Sequence, residues 1–142
     1  MPLRAFIDGK EIIAPFLDDS EWNSLKKDIS SGSKQVILPC CKNLGFLRTS
    51  KLGTKHFVHK RKSNCSWEPE TKEHLEAKAA ILIACKNAGF NASTEVSGPD
   101  WIADVLATRG SLKIAFEVQL SYQNTSKTRE RHDKYIRDGI IC

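Results

Sequence analysis

The sequence predicts a mixed fold, α+β or α/β, in two parts: a small β-rich module over residues 1–65, a candidate for zinc binding, and a core over residues 66–142 with the element order α, β, β, β, α and the start of one more strand. Three observations predict it. Up to about residue 60 the apolar residues come in short runs separated by turn signals, as in strands joined by hairpins. From Thr71 they recur instead at helical spacing, over the longest such stretch in the chain. From Cys40 to Cys65, three of the five cysteines and two of the four histidines gather within about twenty-six residues, which makes metal a live reading.

LRAFIDGKEIIAP has apolar runs on either side of Asp8-Gly9, the dipeptide of a type I′ turn, whose two central residues need positive φ; a β-hairpin is predicted. Asp19 and Ser20 offer N-caps to EWNSLKKDI, where Trp22, Leu25 and Ile29 share a helical stripe, and SSGS ends that helix. QVILP, GFLRTS and KHFVHK read as three short strands, the last two joined at Lys51-Leu52-Gly53. The charged and polar stretch Lys60–Glu70 is the boundary between the parts. The second part opens with the helix TKEHLEAKAAILIACKNAG, with Leu75, Ala79 and Leu82 on one stripe and Gly89 as its stop. Three strands follow, NASTEVS, DWIADVLAT and SLKIAFEVQLS, the latter two a hairpin across Arg109-Gly110. A helix from about Ser126 to Asp138 is closed by Gly139, and GIIC begins a strand that stops at once.

At 142 residues the chain has room for one ordinary domain with a small appended module, which excludes a large multidomain enzyme. No apolar run approaches the ~20 residues that cross a bilayer, and MPLRAFIDGKE lacks the basic-then-apolar pattern of an export signal. A cytoplasmic protein with no membrane partner is therefore expected. In that reducing compartment five cysteines point to metal or burial rather than disulfides. The formal charge of +5 leans toward a polyanionic partner.

Cys40, Cys41, His56, His59 and Cys65 are the zinc candidates, because a structural Zn²⁺ takes four such ligands in a tetrahedron, from short strands or a knuckle. Cys40 and Cys41 are adjacent, and adjacent residues of a strand point to opposite faces. At most four of the five are then expected to bind: Cys41 or Cys40, His56 or His59, and Cys65. The alternative is a buried Cys40-Cys41 pair with the two histidines flanking Phe57. Cys85, on the apolar side of the long helix, reads as core.

The stretch IAFEVQLS sets Glu117 and Gln119 among Ile114, Phe116, Val118 and Leu120, so strand alternation puts both polar side chains on one face. Counting back through the Arg109-Gly110 turn brings Asp104 beside Glu117. Like charges that close are costly unless a cation lies between them, and hard oxygen ligands with open positions suit Mg²⁺. Such an ion polarises a phosphodiester and lowers the pKa of an attacking water. The plainer alternative is a solvated sheet face with the long helix covering the other side.

Taken in order, Glu70-Thr71-Lys72-Glu73-His74 with Lys78, Thr94-Glu95, Trp101-Ile102-Ala103-Asp104-Val105, Glu117-Val118-Gln119-Leu120-Ser121, and Arg131 with Tyr135 ahead of Asp138-Gly139-Ile140 resemble the competence protein CoiA family. Pro39-Cys40-Cys41 and Gly53-Thr54-Lys55-His56-Phe57-Val58-His59 extend the resemblance over nearly the whole chain. The order α-β-β-β-α-(β), with Asp on the second strand and Glu-x-Gln on the third, resembles the restriction-endonuclease-like, PD-(D/E)XK, nuclease core.

The resemblance implies a metal-dependent DNA nuclease that hydrolyses phosphodiesters and serves DNA uptake, recombination or defence. Asp104, Glu117 and Glu70 would be ligands of Mg²⁺ or Mn²⁺, with Gln119 standing where many relatives carry Lys and Lys78 offering the charge that Gln119 lacks. His74, Arg131 and Tyr135 would contact substrate or support the site. The chain departs from the pattern at Ile102, where Arg is expected, and in the last strand, which is expected to be cut short. Ile140 and Ile141 would then be unpaired, leaving a sheet edge for a protein partner or further chain to complete. Gln119 and the short strand favour an alternative: a catalytically inactive, DNA-binding recombination-accessory protein that keeps the nuclease fold.

Lys51, Lys55, Lys60, Arg61 and Lys62 bracket the Cys/His set, and Lys127, Arg129, Arg131, Lys134 and Arg137 gather on the last helix. Such clusters grip phosphates in a salt-dependent, sequence-independent way. No recognition helix or RNP-like strand for reading bases is present in the sequence.

Overall fold

The structure, a computed structural model, describes residues 2–60, 65 and 70–142. Arg61 and Lys62 of the first basic cluster, and most of the Lys60–Glu70 boundary, lie outside the described residues. The chain divides into two compact units, Met1–Leu75 and Glu76–Cys142. The fold is mixed α/β, with two antiparallel sheets and, among the described residues, three α-helices. No helix among those residues is long and apolar enough to cross a membrane.

In the first unit β1 (Arg4–Ile7) and β2 (Lys10–Ile13) form the hairpin read at Asp8-Gly9, which take φ of 52° and 74°. Helix α1 (Asp19–Ser30) is capped by Asp18 and not by Asp19 or Ser20. Asp18 is still extended, and its carboxylate accepts the Glu21 amide at 2.7 Å, satisfying a first-turn donor that the helix cannot satisfy itself. That bond holds the Asp18 carboxyl below its ordinary range. Strands β3 (Val36–Ile37), β4 (Leu44–Thr49) and β5 (Lys55–His59) complete a sheet of order β2-β1-β3-β4-β5. Its core forms where Trp22 of α1 meets Phe57 of β5 edge-to-face at 5.7 Å, among Ala5, Ile7, Val36, Leu38 and Leu47. The indole N–H donates to Thr49 Oγ1 at 3.1 Å, so the polar end of a buried Trp has its partner.

Helix α2 (Lys72–Asn87) starts at Thr71, whose hydroxyl accepts the His74 amide at 3.2 Å. Leu75, Ala79, Leu82 and Cys85 are buried along it, as the periodicity predicts, and so is Lys78. Burial raises the Cys85 thiol pKa, in keeping with a core cysteine.

The second unit holds β6 (Asn91–Ser97), β7 (Ile102–Arg109) and β8 (Leu112–Phe116) in the order β6-β7-β8, all antiparallel. Ala103, Val105 and Ala107 of β7 alternate inward. Helix α3 (Thr125–Arg137) is capped by Asn124, which accepts the Lys127 amide at 2.8 Å, and it buries Tyr135.

Two strand expectations change. The strand drawn through Leu120 ends at Phe116, and Gln119 and Leu120 are exposed. The Val118 amide, which would have continued the ladder, donates to Asp104 Oδ2 at 2.8 Å. At the other end Ile140 and Ile141 are not unpaired. Gly139 turns with φ 72°, the Ile140 amide closes back on the Tyr135 carbonyl at 2.9 Å, and Ile140 is buried against Tyr135. Ile141 then bridges Ile114 in parallel, donating to Lys113 O (2.9 Å) and accepting from the Ala115 amide (2.7 Å). A parallel neighbour requires a crossover, and α3 supplies it.

Candidate functional site

Asp104 lies between the inward-facing Ala103 and Val105, so its side chain takes the other face of β7, half-buried. The β7–β8 ladder ends at Val105↔Phe116, and one step further the register sets Asp104 level with Glu117, as counting through the turn predicts. Helix α3 then reaches Glu117. The Tyr135 hydroxyl donates to Glu117 Oε1, and Arg131 Nη1 lies 3.7 Å from Oε2. Tyr135 is fully buried; burial first and the Glu117 carboxylate second raise its pKa, so it remains a donor. Arg131 and Tyr135, four residues apart, thus both converge on Glu117. Gln119 is exposed.

Sequence reasoning gave no chemistry to Glu95, which belongs beside this pair. The flanking pairs Thr94↔Val105 and Val96↔Ala103 set Glu95 level with Asp104. Glu95, Asp104 and Glu117 therefore fall in one row, across β6 and β7 and just past the end of β8. Glu95 takes φ 49°, a left-handed conformation that costs an ordinary residue about 1 kcal/mol or more. No residue is inserted there, because the pairing offset is the same on both sides. Lys78 of α2 donates to Glu95 Oε1, and the two side chains are 3% and 5% exposed. Sequence reasoning set Lys78 on a face with Glu70 and His74. The signal of its burial was a lysine amid Leu75, Ala79 and Leu82 on an apolar stripe. Glu70 and His74, at the start of α2, meet each other through Oε1 and Nδ1.

In the first unit Cys40, Cys41, His59 and Cys65 bring their ligand atoms within 4.8 Å of one another, all half-buried. Cys40 Sγ is 3.6 Å from Cys41 Sγ and from His59 Nε2, and Cys41 Sγ is 3.3 Å from His59 Nε2. A tetrahedral zinc centre separates its ligand atoms by about 3.5–3.8 Å, so this set could hold a metal such as zinc. The two adjacent cysteines come together because they are not in a strand. β3 stops at Ile37, and the chain turns through Lys42 (φ 58°), with the Lys42 amide on the Leu38 carbonyl at 2.9 Å. His56 lies apart from these four. It alternates to the other face of β5 from His59, is buried, and has Nδ1 3.1 Å from the Thr54 carbonyl. Burial, then contact with Cys65 and Cys41, pushes the Cys40 thiol up to about 12. Burial acts the same way on Cys41, but hydrogen bonds from the Asn43 amide and the neighbouring thiols outweigh it and lower that pKa.

The family model described as "Competence protein CoiA, nuclease-like domain" matches residues 70–142. No curated protein and no solved structure gives a match.

Proposed function

The chain belongs to the competence protein CoiA family, and from that premise we propose that it is a metal-dependent DNA nuclease with a PD-(D/E)XK-type core. The observation that carries the proposal is the level placement of Asp104 and Glu117 where β7 and β8 part. The order α2-β6-β7-β8-α3, followed by a parallel pairing onto β8, supports the fold assignment.

Asp104 and Glu117 are the residues that would hold Mg²⁺ or Mn²⁺; both are hard, half-buried oxygen donors on neighbouring strands, which fits such an ion. When bound, the ion polarises the phosphodiester and lowers the pKa of a water. Tyr135 and Arg131 fix the direction of the Glu117 carboxylate and offset its charge. Gln119, exposed, orients a water through its amide but supplies no charge. Lys78, held by Glu95, is the buried positive charge beside the row. At the Cys40, Cys41, His59 and Cys65 set we propose Zn²⁺ as a structural ion.

The test is incubation with labelled single- and double-stranded DNA in Mg²⁺ or Mn²⁺, with EDTA controls and the variants Asp104→Ala and Glu117→Ala. Cutting that needs the metal and is lost in both variants supports the proposal. Binding without cutting, unchanged in the variants, moves the protein to the accessory role that the neutral Gln119 favours.

A further inference from the structure

The connection from β6 to β7 is built into a fixed wall. Trp101 packs its ring on Tyr135 with centroids 5.1 Å apart, and its indole N–H donates to Asp138. Arg137 pairs with the adjoining Asp100. Gly98 lies beneath the indole, its amide on the Trp101 carbonyl at 2.8 Å, and a Cβ at that position would sit 2.0 Å from the ring. These contacts clamp the loop to the last turns of α3. Toward the first turns of α3 the two separate, opening a cleft of about 730 Å³.

One side of that cleft carries the apolar Pro99, Trp101 and Ile102, with Ile102 55% exposed, beside Ser97 and Asp100, whose carboxylate is held by Arg137. The facing side carries Lys127, Arg131 and Lys134, three or four residues apart and so on one face of α3, with Glu130 among them. Lys134 is shared with Glu130 at 3.2 Å, an exposed pair of the kind that yields readily to a phosphate. Arg131 is also the residue beside Glu117, so the cleft leads to the acidic row.

We propose that this cleft seats an unpaired DNA strand, with a base against Ile102 and Pro99 and its phosphates on Lys127 and Lys134, so that the following phosphodiester arrives at Arg131 and Glu117. A duplex keeps its base faces stacked and offers mainly phosphates and groove edges, so it has nothing to place on an apolar wall. An unpaired strand presents both a base face and a charged backbone, and single-strand binders pair an apolar platform with a basic track. The cavity has the size of small-ligand sites, suited to a nucleotide or two rather than a double helix. The inference rests on the nuclease reading for its direction toward Glu117, but not for binding itself.

The experiment is fluorescence anisotropy on the zinc-loaded protein in buffer free of Mg²⁺ and Mn²⁺, so that no cutting occurs, with a labelled thymidine 12-mer and a duplex of the same length across a salt series. The variants are Ile102→Asp, Lys127→Glu, and Lys10→Glu in the other unit as a charge control. Ile102 and Lys127 are exposed, so the variants keep the fold, which circular dichroism checks. The expected result is tighter binding of the single strand, weakened about tenfold by Ile102→Asp. Lys127→Glu should also lower the salt slope by about 0.7. Equal or tighter binding of the duplex, no binding of the single strand, or cleft variants that bind as the wild type does, would overturn the cleft. A protein that binds single strands through the cleft yet never cuts removes the nuclease reading alone; one that cuts with both cleft variants unaffected removes the cleft alone.

Discussion

The Lys78–Glu95 pair makes a prediction with a defined sign and size. Glu95→Gln leaves shape and backbone conformation alone, including the left-handed φ, but strips the charge from the group that the Lys78 ammonium bonds. Both side chains are at most 5% exposed, so water cannot replace the lost partner. Breaking a buried pair on one side costs about 3–5 kcal/mol. Lys78→Met, which takes the ammonium from the buried carboxylate, should cost the same order. Total stability for a chain of this length is of the order of 7–20 kcal/mol, so either change is easily seen. The double variant Lys78→Met with Glu95→Gln removes both charges and keeps the volume; it should recover most of the loss, within about 1 kcal/mol of the wild type. The assay is urea unfolding at pH 7 followed by far-UV circular dichroism and by hydrogen exchange of β6 amides. Single variants within about 1 kcal/mol of the wild type, or a double variant as weak as the worse single one, would refute the reasoning.

Further expectations concern the other contacts. Tyr135→Phe removes the hydroxyl that Glu117 accepts and should cost about 1–3 kcal/mol, with metal-dependent cutting falling further than stability explains; unchanged thermal unfolding would contradict it. Cys65→Ser and His59→Ala should each abolish stoichiometric zinc, measured by emission spectrometry on purified protein, whereas His56→Ala should retain it. Metal takes the thiolate, and the Cys40 thiol without metal is pushed up to about 12, so binding must release protons. Zinc affinity should therefore fall about a hundredfold or more from pH 8 to pH 6 in competition with a chromophoric chelator. A flat profile would exclude thiolate ligation. Gly139→Ala sets a Cβ at φ 72° and should cost about 1 kcal/mol, seen first as faster exchange of the Ile141 amide.

Local chemistry made much of the fold legible. Asp8-Gly9 specifies its hairpin because both residues accept positive φ, and the stripe of Leu75, Ala79 and Leu82 specifies a helix because their spacing matches its turn. The level placement of Asp104 and Glu117 was legible for the same reason: a short hairpin transmits its register through the turn without outside help. The meeting of Cys40 with Cys41 is not legible from strand alternation, because the chain turns there.

Side-chain partners were decided elsewhere. Glu95 and Lys78 stand 17 residues apart, and no pattern in either segment names the other. Tyr135 finds Glu117 across 18 residues only once α3 has crossed back over the sheet. The end of β8 at Phe116 depends on the Asp104 carboxylate taking an amide that a ladder would otherwise use. Periodicity, capping and turn preference act within a few residues and can be read along the chain. Desolvation and hydrogen-bond pairing act between surfaces that exist only after packing, and those set the acidic row, the Cys/His cluster and the cleft.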